Sequence, residues 1–512
     1  MKTKIAYFLL FVGLFLTACS DDILERYPLD GISEANFWKT EKDYETAIIA
    51  IYGQMQQGLF SSALPYWDNI SDNGYGQHNH WSSMDIVTGN ITPNTGGFVK
   101  DLYYSAWRSI ARANIFLQHL KEYDGLKPEK KTLYEAEAKA LRAFFYSYLY
   151  RCWGELPVIE EQLTLENQFQ PKKPASEMLK LIMADLDFAI AHLPDVTYKE
   201  SGGHWTAGAA KAYKARILLY DAYDAQGKAI ISQMQTVKDL LSSIHGYRLA
   251  PDFSDNFHDL KQEDCPEIIL SVKFLAPNNH TDVDCGFGNW VAISPTASLI
   301  SEFDMADGTP GTPVPYTGRG VINPTTFSNA SLDLREPRAA KTVFMDRYRI
   351  NGASYRPSDP RPLGTGLQKF LSPNQTPPFG VGTLSQQDWI VVRYADVLLM
   401  LAEAENEING PTKIVYNAVD SVRQRGQTSA LPAGLNKDQM RERIRHERRI
   451  ELAFEGERYF DLKRWKIAKE VLNNVKDAIV WYRFEDKHYY FPIPQDDVDR
   501  SGGILVQNPN YK

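Results

Sequence analysis

Cysteine is scarce in this chain, with 4 in 512 residues. A framework of several disulfides is thereby excluded, and stability has to come from apolar packing. Cys19 adjoins the leader discussed below, which leaves Cys152, Cys265 and Cys285 with room for one bridge at most. Cys265 and Cys285 could close a loop, but their spacing suits neither a zinc knuckle nor a redox pair. Buried free thiols are expected instead. An excess of positive charge is missing too: the net charge is −8, which argues against nucleic acid or anionic lipid as a partner. After the first eighteen residues no long apolar run recurs, so no later segment reads as a membrane-crossing helix. A glycine-rich phosphate loop, a nucleophile elbow and a zinc-protease helix are all absent. His78-Asn79-His80 offers two imidazoles without an evident third ligand, and Asp282 with Asp284 lack a full calcium loop. No metal or other cofactor is expected.

What is present begins at the N-terminus. Lys2 and Lys4 precede an apolar stretch, residues 5–16, too short to span a bilayer. Leu16-Thr17-Ala18-Cys19 follows, an order that looks like a lipoprotein signal. It implies cleavage before Cys19, acylation of its sulfur, and a mature chain held to a membrane by lipid. The alternative is an ordinary secretory signal with a chance cysteine. The expected layout is a signal at 1–18, a lipidated tether at 19–30, a helical region at 31–245, and a second region at 246–512 packed with it as one unit.

Helical periodicity predicts helices near 34–57, 103–120, 129–152, 176–192, 206–223 and 230–244, then again near 390–408, 413–425 and 437–454. Several interleave small residues with aromatics: Ala136, Ala140, Ala143 and Phe144 in one, Ala209, Ala212, Tyr213 and Tyr220 in another. Small residues let helices approach and rings fill the gaps, the packing logic of tetratricopeptide-type helix pairs. The predicted class is therefore mostly α. Between about 246 and 387, Pro, Gly, Asn and Asp are dense and only short strands are expected, such as 268–274. Aromatic residues make up 12% of the chain, with 10 Trp and 28 Tyr, enough that some are expected to serve contacts.

The most charged stretch is 441–464. At helical spacing Arg441, Arg445 and Arg449 form one row and Glu447, Glu451 and Glu455 another, an arrangement suited to salt bridges between helices. The run 444–468 (IRHERRIELAFEGERYFDLKRWKIA) resembles the hallmark of the SusD/RagB family of outer-membrane nutrient-binding lipoproteins. Arg393-Tyr394-Ala395-Asp396 with Ala402-Glu403-Ala404, Val422-Arg423-Gln424-Arg425, Arg335-Glu336-Pro337-Arg338, and Phe491-Pro492-Ile493-Pro494 with Asn508-Pro509-Asn510-Tyr511 are similar to further family motifs, in the family's order. In the N-terminal half Leu141-Arg142-Ala143 and Gly154-Glu155-Leu156-Pro157 also fit. The resemblance implies a tetratricopeptide-like helical scaffold whose long irregular loops and few short strands carry the ligand site. It implies a non-enzymatic binder, lipid-anchored in the outer membrane and facing outward, that passes glycan to a SusC-like TonB-dependent transporter. The acidic Ser20-Asp21-Asp22 resembles the export signal of such proteins. An oligopeptide binder or a surface glycoside hydrolase are the alternatives.

The family's ligand loops vary freely, so no site residue can be carried over by motif; candidates come from the physics of glycan capture. A pyranose offers an apolar C–H face and a rim of hydroxyls, suited to a flat Trp or Tyr flanked by amides and carboxylates. Trp81 and Trp290 are the expected platforms, with Tyr75, Asn73 and Asp72 nearby. Trp67, just before the first loop, is expected to fill the core.

Overall fold

The structure, a computed structural model, describes residues 37–511. Cys19, the signal and the tether lie outside the described residues. Among the described residues, nine helices of twelve residues or more account for most of the order: α1 (Glu41–Tyr52), α2 (Lys100–Glu122), α3 (Pro128–Trp153), α4 (Ala175–His192), α5 (Ala207–Asp221), α6 (Ile231–Ser242), α7 (Tyr394–Asn409), α8 (Lys413–Arg425) and α9 (Lys437–Glu451). Each packs on its predecessor from α1 to α8, α9 completes the array against α7 and α8, and α6 lies on α7 although 151 residues of chain separate them. The helical pairs thus form one continuous scaffold.

Local chemistry explains the helix ends. Thr40 caps α1: its hydroxyl accepts the Asp43 N–H at 3.3 Å, while the Asp43 carboxylate accepts the Thr40 N–H at 2.7 Å. The expected helix over 34–57 ends early, giving way at Gly53 to 3-10 turns that still bury Met55. α3 opens with Pro128 in its first turn and stops at Gly154, whose φ of +72° a side chain would resist. From Leu141 to Trp153 every residue of α3 is buried, with α2 and α4 packed along the helix and Phe60, Tyr213 and Phe491 against its rings.

The expected helix over 390–408 is a strand followed by a helix. Ile390, Val391 and Val392 belong to β8 (Trp389–Arg393), which pairs antiparallel with β2 (Ile268–Val272). β-branched side chains favour the pleated backbone, and the helix begins at Tyr394. α9 ends at Glu451, three residues before the expected limit, in a turn where Phe454 takes φ +65° and Gly456 φ +87°. The remaining strands are two or three residues long and form three further two-stranded sheets. Cys152, Cys265 and Cys285 are free and buried, as expected.

The acidic row, Glu447 and Glu451 on α9 with Glu455 just past its end, points inward. Arg338 bonds Glu336, Glu447 and Glu451; Arg393 bonds Glu267, Glu451 and Glu455; Arg423 joins Asp304 to Glu447; Arg425 joins Glu267 to Glu451; and Lys369 meets Glu455. Side chains from β8, α8 and α9 and from the loop-rich region therefore share one buried lattice, fastening the loops to the scaffold.

Candidate ligand-binding site

Two expected ligand residues belong to this scaffold rather than to the surface. Asp72 is 6% exposed, and its carboxylate is gripped by Arg458 at 2.8 Å and Arg449 at 3.0 Å. Burial pushes that carboxyl upward, but the two guanidiniums outweigh it and hold the group well below the usual range. Asn73 is fully buried; its amide donates to Asp68 at 2.7 Å and its oxygen accepts from Arg449 at 2.9 Å. Neither has a polar group to spare for a sugar at the surface, which corrects the expectation. Both point to arginines lying nearly four hundred residues away, which local spacing does not reveal. Trp67 fills the core as expected, donating its indole N–H to the Leu59 carbonyl at 3.1 Å.

Tyr75 lies on β1 (Gly74–Gly76), which pairs antiparallel with β3 (Ile293–Pro295), setting Tyr75 opposite Ser294. Its ring is 6% exposed, so it serves as a footing for the loops more than as a platform. The pairing matters because it stitches together the two loops chosen from sequence. The Gln77 N–H continues the ladder to the Ala292 carbonyl at 3.1 Å, placing residues 77–82 beside residues 285–292. Trp81 and Trp290, one on each loop, are both partly exposed.

These two loops are strained. His78, Asn79, Trp81 and Ser82 have φ of +63°, +51°, +56° and +58°, and Val291 next to Trp290 has φ +48°. Left-handed backbone is costly for residues with a Cβ and above all for a β-branched one, at about 1–3 kcal/mol each. The surroundings hold it in place. The Phe98 N–H bonds the Trp81 carbonyl at 3.1 Å, and a Cβ on Gly97 would lie 2.0 Å from that oxygen. The Trp81 ring lies against Gly58, where a Cβ would meet it at 2.3 Å. The indole is thus seated on a glycine, packed partly against the core and partly exposed.

Polar side chains lie on the same two loops. His78 approaches Asp359 at 3.9 Å, the Asn289 side chain accepts the Ser358 N–H at 3.1 Å, and the Asn289 carbonyl accepts that of Asp359 at 3.1 Å. His80 stands edge-on to His78 with centroids 5.9 Å apart and faces Tyr66 at 5.6 Å. Burial lowers the pKa of His80, His78 adds to the shift, and Asp282 opposes it. Among the described residues no group of three or more His, Cys, Asp or Glu could hold a metal. What the arrangement can do is stack flat faces and exchange hydrogen bonds.

One aromatic escaped the sequence reading. Trp481 is 64% exposed, with the Arg319 guanidinium 5.8 Å from its ring. Next to it, the Tyr482 hydroxyl donates to the Gly74 carbonyl at 3.1 Å, which ties this patch to β1. The Arg319 guanidinium is held here by donating to the Ile479 carbonyl at 3.0 Å. Phe287, on the same loop as Trp290, is buried.

Comparison with known proteins settles the family. A sequence profile of the SusD family matches residues 272–511, and a second, described as starch-binding associating with outer membrane, matches 31–219. The chain belongs to the SusD family. It is 26% identical to SusD-like protein P38 of Formosa agariphila over 502 residues, covering 93% of this chain and 94% of that one. A SusD-like carbohydrate-binding protein of Bacteroides fragilis superposes with a TM-score of 0.77 at 23% identity, covering 92% of this chain and 99% of its own. A laminarin-binding SusD-like protein gives 0.68 at 23% identity, over 92% and 100%. At those identities the structures report the SusD-like fold, mostly helical as the motifs implied, and leave the ligand open.

Proposed function

We propose that this SusD-family protein captures glycan at the cell surface, through the loops carrying Trp81 and Trp290, and delivers it to a SusC-like TonB-dependent transporter. The observation that carries the reading is the joined pair of strained loops, each presenting a partly exposed indole beside amide, imidazole and carboxylate groups. Strain of this kind persists where the surroundings over-determine it, and it fixes ring positions before a ligand arrives. Support also comes from the carbohydrate-binding and laminarin-binding names of structural neighbours and from the starch-binding description of the N-terminal profile. Acylated Cys19 would hold the binder beside its transporter, so that a weak contact is raised by effective concentration.

Calorimetry of the purified protein against a panel of neutral glycans, with laminarin and starch included, tests the site. Trp81→Ala and Trp290→Ala are each expected to weaken binding about tenfold or more, by loss of a stacking face. Unchanged affinity in both variants would overturn the assignment. Reducing ends are not expected to accumulate during incubation. Cys19→Ala is expected to leave affinity intact while lowering uptake in cells, and normal uptake would remove the tether from the scheme.

A further inference from the structure

Trp481 is the most exposed tryptophan among the described residues. A solitary exposed ring is ordinary on a protein surface, but this one is set in a frame. Asp477, four residues earlier, is buried, and its carboxylate accepts the Ser298 N–H at 2.5 Å, just beyond β3. Tyr482, directly after the ring, is buried and bonds to Gly74 on β1. β1 and β3 run antiparallel, with Gly76 opposite Ile293 at the end that leads to Trp81 and Trp290, and Gly74 opposite Pro295 at the other. The Trp481 segment is therefore fastened at the end of this ribbon remote from the indole pair.

A second segment closes on it. Thr317 and Val321 exchange backbone hydrogen bonds of 2.9 and 3.1 Å across a turn in which Gly318 and Gly320 take φ of +55° and +84°. A Cβ on Gly320 would lie 2.3 Å from the Asp477 backbone, so the approach needs glycine, and it delivers Arg319 to the ring. Nη1 of Arg319 donates to the Ile479 carbonyl, while Nε and Nη2 of this exposed side chain have no partner among the described residues. Lys476, also exposed, holds its ammonium 6.0 Å from the same ring. At 5.8 and 6.0 Å both cations stand at the outer limit of a cation–π contact, too far to be packed on the indole face. Arg151 over Phe460, at 3.9 Å, shows the closer stacking. Neither Arg319 nor Lys476 has a carboxylate within ion-pair reach among the described residues, so this ring carries a positive spot on a chain of net charge −8. A flat indole suits the C–H face of a pyranose, and a guanidinium and an ammonium supply charge-assisted hydrogen bonds to an oxyanion.

We infer that Trp481, Arg319 and Lys476 form a second ligand site, which takes an anionic sugar residue of a glycan. The sugar ring stacks on the indole, its carboxylate or sulfate ester lies against Arg319, and Lys476 adds positive charge. The choice of a sugar over an acidic peptide rests on the glycan reading above. The site itself does not depend on Trp81 or Trp290.

The test is calorimetric titration of the purified protein with tetragalacturonate, its fully methyl-esterified form, a sulfated carrageenan tetrasaccharide and tetra-L-glutamate. At least one acidic sugar is expected to bind, and which one binds tells carboxylate from sulfate. The esterified form, with the same rings and no charge, is expected to bind about tenfold more weakly than the free acid if the carboxylate is the ligand group. Trp481→Ala and Arg319→Gln are each expected to weaken acid binding about tenfold or more. Because Arg319 also ties its turn to Ile479, Lys476→Gln supplies a second route, with an expected loss of about threefold. Trp81→Ala is expected to leave acid binding unchanged, and the neutral-glycan panel reports on Trp81 and Trp290 separately. Failure of both acidic sugars to bind would overturn the assignment, as would tetra-L-glutamate binding as well as they do. Unchanged acid affinity in Trp481→Ala, or in both Arg319→Gln and Lys476→Gln, would overturn it too. Loss of acid binding in Trp81→Ala would move the acid to the indole-bearing loops and likewise end the proposal.

Discussion

Lys463 is a fully enclosed ammonium whose hydrogen bond goes to the Arg151 carbonyl at 2.7 Å, among the rings of Tyr459, Phe460 and Tyr490. Burial pushes its pKa down to about 7, from an ordinary value of 10.5. The unfolded chain therefore holds a proton that the folded chain has released, and it does so between about pH 7 and 10.5. Folding stability should rise with pH across that window and lose the gain as pH falls through 7. Lys463→Met keeps the stem and removes the charge. It is expected to raise the unfolding free energy at pH 7 by about 1–4 kcal/mol and to flatten the alkaline rise, measured by urea denaturation at pH 7 and 10. Wild-type stability that does not change between those pH values would refute the account. Individual residues also show where local reading stops. Asp72 and Asn73 had the composition of a sugar site, but partners at Arg449 and Arg458 draw them inside, and burial by distant segments leaves no trace in spacing.

At the scale of elements, α9 shows what was legible. Its rows of opposite charge followed directly from a 3.6-residue period, and their structural role follows from where the helix lies, facing Arg338, Arg393, Arg423 and Arg425. The ends of elements were less legible. Ile390-Val391-Val392 fits a buried helix or a buried strand equally well by pattern, and only pairing with β2 decides between them. The strained backbone at 78–82 and 291 had no signal at all, since none of those positions is glycine. Glu451, the last residue of α9, accepts from Arg338 at 2.7 Å, from Arg393 at 2.5 Å and also from Arg425, at a fully buried site. Glu451→Gln leaves three buried guanidiniums short of one carboxylate. The expected loss is about 3–5 kcal/mol. Glu442→Gln on the same helix serves as the control: Glu442 is an exposed partner of Arg445 at 3.3 Å, and its change is expected to stay within about 0.5 kcal/mol. Similar losses in the two variants would mean that the lattice does not lock the helix.

For the molecule as a whole, the buried ion pairs set the response to acid. Burial works against the charge of Asp396 and Glu403, yet Arg216 and Arg448 on the one and Arg464 on the other hold both at about 2. The same balance holds Glu302 at about 2 through His446 and Arg449. These acids stay ionised in the fold at pH values where the unfolded chain has protonated them, so their contribution is complete above about pH 4.5 and drains away toward pH 2. Asp68 and Asp284 act in the opposite direction. Burial raises each to about 6, so the folded state takes up their protons first and gains stability as pH falls from 6 toward 4. The two effects meet near pH 4 to 5. Thermal unfolding followed by circular dichroism should therefore show a midpoint that holds or climbs from pH 7 to about 4.5, then drops steeply. Asp396→Asn removes one of the depressed carboxylates together with its share of the acid dependence. Its midpoint is expected to lie well below wild type at pH 6 and to approach it at pH 3. A constant gap between the two proteins over that range would show that Asp396 stabilises the scaffold by packing rather than by charge.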